Sequence, residues 1–129
     1  MLHGIYGRGR NWQGIAKAVL AQRPDYACWL IDLPHHGESP AGRHGDTVLG
    51  LAEDLDDWTT GAGVHADAVL GHSYGGKVAL AWADRHRDQT LQVWVIDSTP
   101  APREPGGSAY DMLQLIRRLP GTFATREEA

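Results

Sequence analysis

Residues 71–76 read Gly-His-Ser-Tyr-Gly-Gly, and their setting constrains the fold more than any other feature of the chain. Residues 65–70 end in a short apolar run with the look of a strand, and residues 77–83, Lys-Val-Ala-Leu-Ala-Trp-Ala, read as a helix. A Gly-x-Ser-x-Gly pattern at a strand-to-helix junction is a sharp, strained turn that pushes its serine out at the carboxyl end of the strand. Glycine is needed at its flanks because side chains there would crowd the strand or the helix. Ser73 thus becomes a candidate nucleophile, with Gly71, Gly75 and Gly76 as its steric support. The amide of Tyr74 and the positive end of the new helix lie beside it.

Three apolar runs predict buried parallel strands over residues 26–31, 67–70 and 91–96. Helical patterns fall between them. Asn11 is a candidate cap for a helix through Trp12, Ile15, Ala18, Val19 and Leu20 that ends near Arg23-Pro24. From Thr47 to Trp58 apolar residues recur at helical spacing with an acidic outer face, and the helix after Ser73 ends near His86. Strands alternating with helices indicate an α/β fold with a parallel sheet and helices on both faces. Residues 98–107 are a proline- and glycine-rich linker, residues 110–119 a helix with one apolar face, and residues 125–129 the opening of another helix. This divides the chain into a core over 1–100 and a linker with a helical segment over 101–129.

With 129 residues and 42% hydrophobic composition, one ordinary globular core is the expectation. A net charge of -4 gives no reason to expect nucleic acid or a membrane surface as partner. The single cysteine, Cys28, sits in an apolar run, which predicts a buried, inert thiol and excludes a disulfide within the chain. No apolar stretch approaches the length of a membrane span, and a cytoplasmic location is expected. The five tryptophans, Trp12, Trp29, Trp58, Trp82 and Trp94, read as core and helix-packing residues rather than a ligand platform.

Three further segments bear on the chemistry. His3-Gly4-Ile5 follows a strand end, and a glycine-rich turn there can aim a backbone N–H at a developing oxyanion, which would assign the two donors to Ile5 and Tyr74. An ordinary strand-to-helix loop is the alternative. In Asp32-Leu-Pro-His-His36-Gly-Glu-Ser39, the acid and the histidine could act as catalytic pair or could brace the loop through backbone hydrogen bonds. Asp97 closes the run 91–96, where neighbouring parallel strands lie about 5 Å apart. An acid there can orient a histidine lying between the strands, or it can cap the following turn through the amides near Ser98 and Thr99.

Taken together, His3-Gly4, Asp32-Leu-x-x-His36-Gly-x-Ser39 and Gly71-His-Ser73-Tyr-Gly-Gly resemble the α/β-hydrolase superfamily over nearly the whole chain. More narrowly, the sequence resembles small acyl-esterases that carry Gly-His-Ser-x-Gly-Gly-Lys, with Lys77 as the lysine. The resemblance implies a serine esterase or thioesterase that forms an acyl-enzyme on Ser73 from a small acyl-ester substrate. It implies no metal or organic cofactor. In that subgroup the acid lies in a Val-x-Asp-x-x-Pro stretch, matched by Val95-Ile-Asp97-Ser-Thr-Pro100, which favours Asp97. The segment from residue 108 onward becomes the start of a helical cap. C–C bond hydrolysis, haloperoxidase-like chemistry, acyl transfer to another acceptor and a non-catalytic, partner-dependent chain remain alternatives, since fold does not settle reaction. Epoxide hydrolase or dehalogenase chemistry is disfavoured, because those enzymes use a carboxylate where Ser73 stands.

The family order places a histidine after the acid, whereas the seven here are His3, His35, His36, His44, His65, His72 and His86. Strand alternation directs His72 away from Ser73, His86 ends a helix, and only His35 and His36 fall on a loop near the site. The central strand of such a sheet survives only as Met1-Leu2. The expectation is therefore an internal piece of a hydrolase of about 250 residues, poorly folded and nearly inactive alone.

Overall fold

A computed structural model describes residues 1–89, 92–101, 107–119 and 125. Its centre is a parallel pair, β1 (Ala68–His72) and β2 (Gln92–Ile96), in register from Ala68 opposite Gln92 to His72 opposite Ile96. On the other side of β1, Leu2 makes parallel bridges to both Gly71 and Ile31. The Leu2 amide donates to the Leu70 carbonyl (2.7 Å), the Leu2 carbonyl accepts from the His72 amide (3.1 Å), and the Ile31 amide donates to the Met1 carbonyl (3.1 Å). The extended segments thus run in the order Ile31, Leu2, β1, β2. The fold is α/β with a parallel sheet, as the alternation of strands and helices predicts.

Residues 26–31 differ from the sequence expectation. Only Ile31 pairs, and Tyr26 and Trp29 are 40% and 49% exposed. A parallel strand is stabilised by its neighbours rather than by local propensity. Here its neighbour is the short stretch Met1-Leu2, whose Met1 amine donates to the Trp29 carbonyl (2.7 Å) and whose Met1 carbonyl accepts from the Ile31 amide. β2 also presents Trp94 to solvent at 57% exposure, and Cys28 is half-buried rather than buried. Leu91 and residues 102–106, 120–124 and 126–129, which carry parts of the expected strand, linker and final helix, lie outside the described residues.

Three helices surround the strands. α1 (Gln13–Gln22) follows a 3₁₀ turn over Gly9–Trp12. Asn11 sits inside that turn and its Oδ1 accepts from the Arg8 amide (2.7 Å), so it does not cap α1. α2 (Val48–Gly61) is capped by Thr47, whose hydroxyl accepts from the Gly50 amide (3.0 Å), and it buries Leu51, Ala52 and Leu55. α3 (Tyr74–Arg85) buries Val78, Ala79 and Trp82 against α2 and the strands. These residues, with Leu2, Leu33 and Val69, form the hydrophobic core. A fourth helix, α4 (Ser108–Ile116), keeps Met112, Leu113, Leu115 and Ile116 exposed. Among the described residues no helix is long and apolar enough to cross a membrane.

Two local devices bring loops to the carboxyl end of these strands. At the elbow, a Cβ on Gly71 would strike the Gly75 carbonyl, and a Cβ on Gly75 would strike the carbonyls of His3 and Leu2. Beyond Ile31, Asp32 accepts hydrogen bonds from the Gly9 amide (2.6 Å) and the Glu38 amide (3.1 Å), and Ser39 Oγ donates to its carbonyl (2.7 Å). The Gly9 amide first, and the Glu38 amide second, hold the Asp32 carboxyl below the usual carboxylate range. Asp32 therefore braces the turn, the second of its two sequence readings.

Replacing Gly75 by alanine drives a methyl group into backbone, and Gly75→Ala is expected to cost about 2–3 kcal/mol in urea unfolding. Gly14→Ala meets nothing within 4 Å on α1 and is expected to stabilise by about 0.5–1 kcal/mol. Asp32→Asn should cost about 1–3 kcal/mol at neutral pH, because it removes the charge that both amides address. The folded-state carboxyl is depressed, so its contribution is complete above the ordinary carboxylate range and disappears as pH falls through the depressed value. The variant and the parent should accordingly converge in stability at low pH; a constant difference down to strongly acid pH would contradict this assignment.

Candidate active site

Ser73 stands between β1 and α3 with φ 50° and ψ -116°. That region is unfavourable for a residue with a Cβ, and strain of this kind is held in place by surrounding structure. The surroundings are explicit. The Ser73 amide donates to the Ile96 carbonyl (2.9 Å), and its own carbonyl accepts from the Gly76 amide (3.0 Å). The site has built its strain into a residue clamped on both sides.

A cavity of about 440 Å³ opens beside Ser73, and its walls include His3, Gly4, Ile5, His72 and Met112. Gly4 lies against the elbow: a Cβ there would stand 2.9 Å from His72 Nδ1 and 3.4 Å from Ser73 Cβ. The first loop and the elbow therefore share one surface, and only a residue without a side chain fits at their contact. Met112 brings α4 to the same cavity.

Among the described residues, neither the Ile5 amide nor the Tyr74 amide takes part in a hydrogen bond. Tyr74 is the first residue of α3, where the helix leaves its leading N–H groups without intrahelical acceptors. The first loop is fixed by its carbonyls instead. His3 is buried, its Nε2 accepts from the Leu33 amide (3.0 Å), and this leaves Nδ1–H to donate to the Gly4 carbonyl (2.8 Å). Burial pushes the His3 imidazole below its ordinary pKa, in keeping with a neutral ring. The Ile5 carbonyl receives His36 Nε2 at 2.6 Å, and His36 Nδ1 lies 2.8 Å from the Pro34 carbonyl. Like Asp32, His36 is engaged with backbone and does not line the Ser73 cavity. His35 is turned to Asp46, with Nε2 2.8 Å from Oδ1.

Asp97 closes β2 with φ 49° and a side chain 88% exposed. It makes no hydrogen bond to the amides of Ser98 or Thr99, so the turn-capping alternative finds no support among the described residues. Its neighbour is His72, whose Nε2 lies 3.8 Å from Asp97 Oδ2, beyond hydrogen-bond length. The loop after Asp97 is tied to α3 by Lys77, whose Nζ donates to the carbonyls of Thr99 (2.8 Å) and Ala101 (3.1 Å). Gly76 lets this loop close in, since a Cβ there would stand 3.0 Å from Ser98 Cβ.

His72 is the residue that sequence reasoning misplaced. Alternation along a strand directs it away from Ser73, yet both line the same cavity. The alternation holds only while the backbone stays extended, and at Ser73 it leaves the β region. The positive φ typical of such an elbow was the available signal.

Three comparisons bear on this arrangement. The family model for the alpha/beta hydrolase fold matches residues 1–126. The chain is 30% identical over 131 residues to the sn-1-specific diacylglycerol lipase ABHD11 of Mus musculus, covering 97% of this chain and 42% of that protein. It is 30% identical over 96 residues to 2-succinyl-6-hydroxy-2,4-cyclohexadiene-1-carboxylate synthase of Yersinia pestis (strain Pestoides F), covering 74% and 34% of the two chains. Among solved structures, a marine microorganism esterase superposes with a TM-score of 0.75 at 31% identity over 89% of this chain and 42% of its own. The chain thus spans less than half the length of these relatives. With its elbow, its glycine-to-glycine contacts and this match over almost all its length, the chain belongs to the alpha/beta hydrolase fold family.

Proposed function

We propose that this chain carries the nucleophile half of a serine hydrolase that cleaves small acyl esters. The observation that carries the reading is the placement of Ser73, strained and clamped, at a cavity it shares with the Gly4-Ile5 loop. Its Oγ attacks the acyl carbonyl while a histidine takes its proton. The amides of Ile5 and Tyr74 receive the oxyanion, which is where unengaged N–H groups at a helix start have most effect. The carbonyl reforms, the leaving alkoxide departs with the proton held by the histidine, and an acyl ester remains on Ser73. Water then repeats the sequence, releasing the acid and restoring the serine.

Asp97 orients the histidine, and two candidates exist for that base. The resemblance places it after the last strand of the family fold, beyond residues 1–129. Within the chain, His72 is the histidine that approaches Asp97. The second reading changes the chemistry and keeps the site. The named synthase relative supports it, since an oxyanion site beside a serine also suits proton removal and C–C bond chemistry.

A fluorophosphonate probe distinguishes these readings. Ser73 is expected to label slowly, since a triad lacking one member retains only about 10³–10⁴-fold over water, and Ser73→Ala should abolish labelling. Labelling confined to another residue would sink the acyl-transfer reading. His72→Gln should leave the rate within about twofold if the base lies outside the chain; a drop beyond about tenfold would make His72 the base. Turnover on short and long acyl esters, set against none on a C–C substrate, separates the two chemistries.

A further inference from the structure

We propose that His36 is a positioning residue that aims the Ile5 amide at the reacting centre, and that its hold depends on its own protonation. The inference rests on the reading of Ile5 as an oxyanion donor. Two successive carbonyls of the first loop are held by histidines: Gly4 by His3 Nδ1 (2.8 Å) and Ile5 by His36 Nε2 (2.6 Å). A peptide plane pinned at its carbonyl has little freedom to swing. The Gly4 carbonyl shares its plane with the Ile5 N–H, His36 holds the next plane through the Ile5 carbonyl, and the Ile5 amide is thereby restrained from both sides of its Cα. The Gly7 amide, donating to the Gly4 carbonyl (2.8 Å), closes the same turn from the far side.

The two histidines differ in their proton inventory. His3 faces one donor, the Leu33 amide, and one acceptor, so its neutral ring satisfies both contacts. His36 faces two acceptors, the carbonyls of Pro34 and Ile5. A neutral imidazole has one N–H and can donate to only one of them; its other nitrogen would set a lone pair against an oxygen at hydrogen-bond distance. Both contacts are satisfied only by the imidazolium. When the proton leaves, one contact must open. The Pro34 carbonyl belongs to the same tight turn as His36, whereas the Ile5 carbonyl lies across on another loop. The second is therefore the contact free to open. Around the ring, the titratable and charged neighbours are His3, with ring centroids 4.8 Å apart, and behind it Asp32 and Arg8. The Asp32 carboxylate is already engaged by the amides of Gly9 and Glu38.

The test follows the Ile5 carbonyl ¹³C and Tyr6 amide ¹⁵N shifts of the full chain against pH, together with the His36 ring carbons. The Ile5 and Tyr6 signals should titrate in step with His36 in the parent and lose that step in His36→Phe. Fluorophosphonate labelling of Ser73 should slow about tenfold in His36→Phe, the loss of one good hydrogen bond to a peptide. It should recover in part in His36→Gln, whose amide can donate to Ile5 but does not titrate. A structural role alone would alter thermal stability without moving the pH profile of labelling. An Ile5 carbonyl indifferent to the titration of His36 overturns the proposal, as does a labelling rate in His36→Phe equal to the parent at every pH. An unreactive Ser73 in the parent counts instead against the acyl-transfer reading, and the carbonyl titration then decides the His36 contact by itself.

Discussion

The arrangement depends on Leu2 lying between Ile31 and Gly71. Parallel pairing on both sides places three chain segments with their carboxyl ends at one edge, so the loops that follow them converge. The His3–Gly4 turn, the Asp32 turn and the serine elbow then stand side by side. The close approach of Gly75 to the carbonyls of Leu2 and His3 is the same constraint seen from the helix. A side chain at that point would separate the first loop from the elbow that carries Ser73.

Around that contact the loops are held by polar groups in addition to the buried Leu2 and Leu33. Asp32 gathers the amides of Gly9 and Glu38, His3 links the Leu33 amide to the Gly4 carbonyl, and Lys77 holds the carbonyls of Thr99 and Ala101. Each device satisfies backbone groups that loops leave without sheet or helix partners. The amides of Ile5 and Tyr74 are among the donors for which no described residue supplies an acceptor. Ile5 lines the same cavity as the strained Ser73, and Tyr74 follows Ser73 directly in the chain.

Much of this was legible in the sequence because steric and hydrogen-bonding requirements are local. The elbow could be read from Gly71, Gly75 and Gly76, each of which the structure sets against backbone or a neighbouring side chain. The bracing role of Asp32 could be read because a carboxylate in a tight turn finds amides nearby. The helices Val48–Gly61 and Tyr74–Arg85 follow their apolar spacing closely. What escaped was non-local. The apolar run 26–31 has strand composition, but whether it pairs depends on how much chain lies beside it. His72 escaped because a dihedral change one residue later cancelled the alternation. Asn11 escaped because its oxygen turned back to Arg8 rather than forward into the helix.

The Leu2 bridge also sets an order of events. Leu2 and Gly71 are separated by about seventy residues, and closing so long a loop costs entropy before any contact at its ends repays it. The contacts of α2 with α3, and of α3 with its strands, span shorter stretches of chain and can form first. The His3–Gly4 loop therefore meets Ser73 last. Until that long-range contact closes, Ser73 has no first loop beside it, so the cavity they share arrives with completed folding and is lost with the first partial unfolding at the amino-terminal edge.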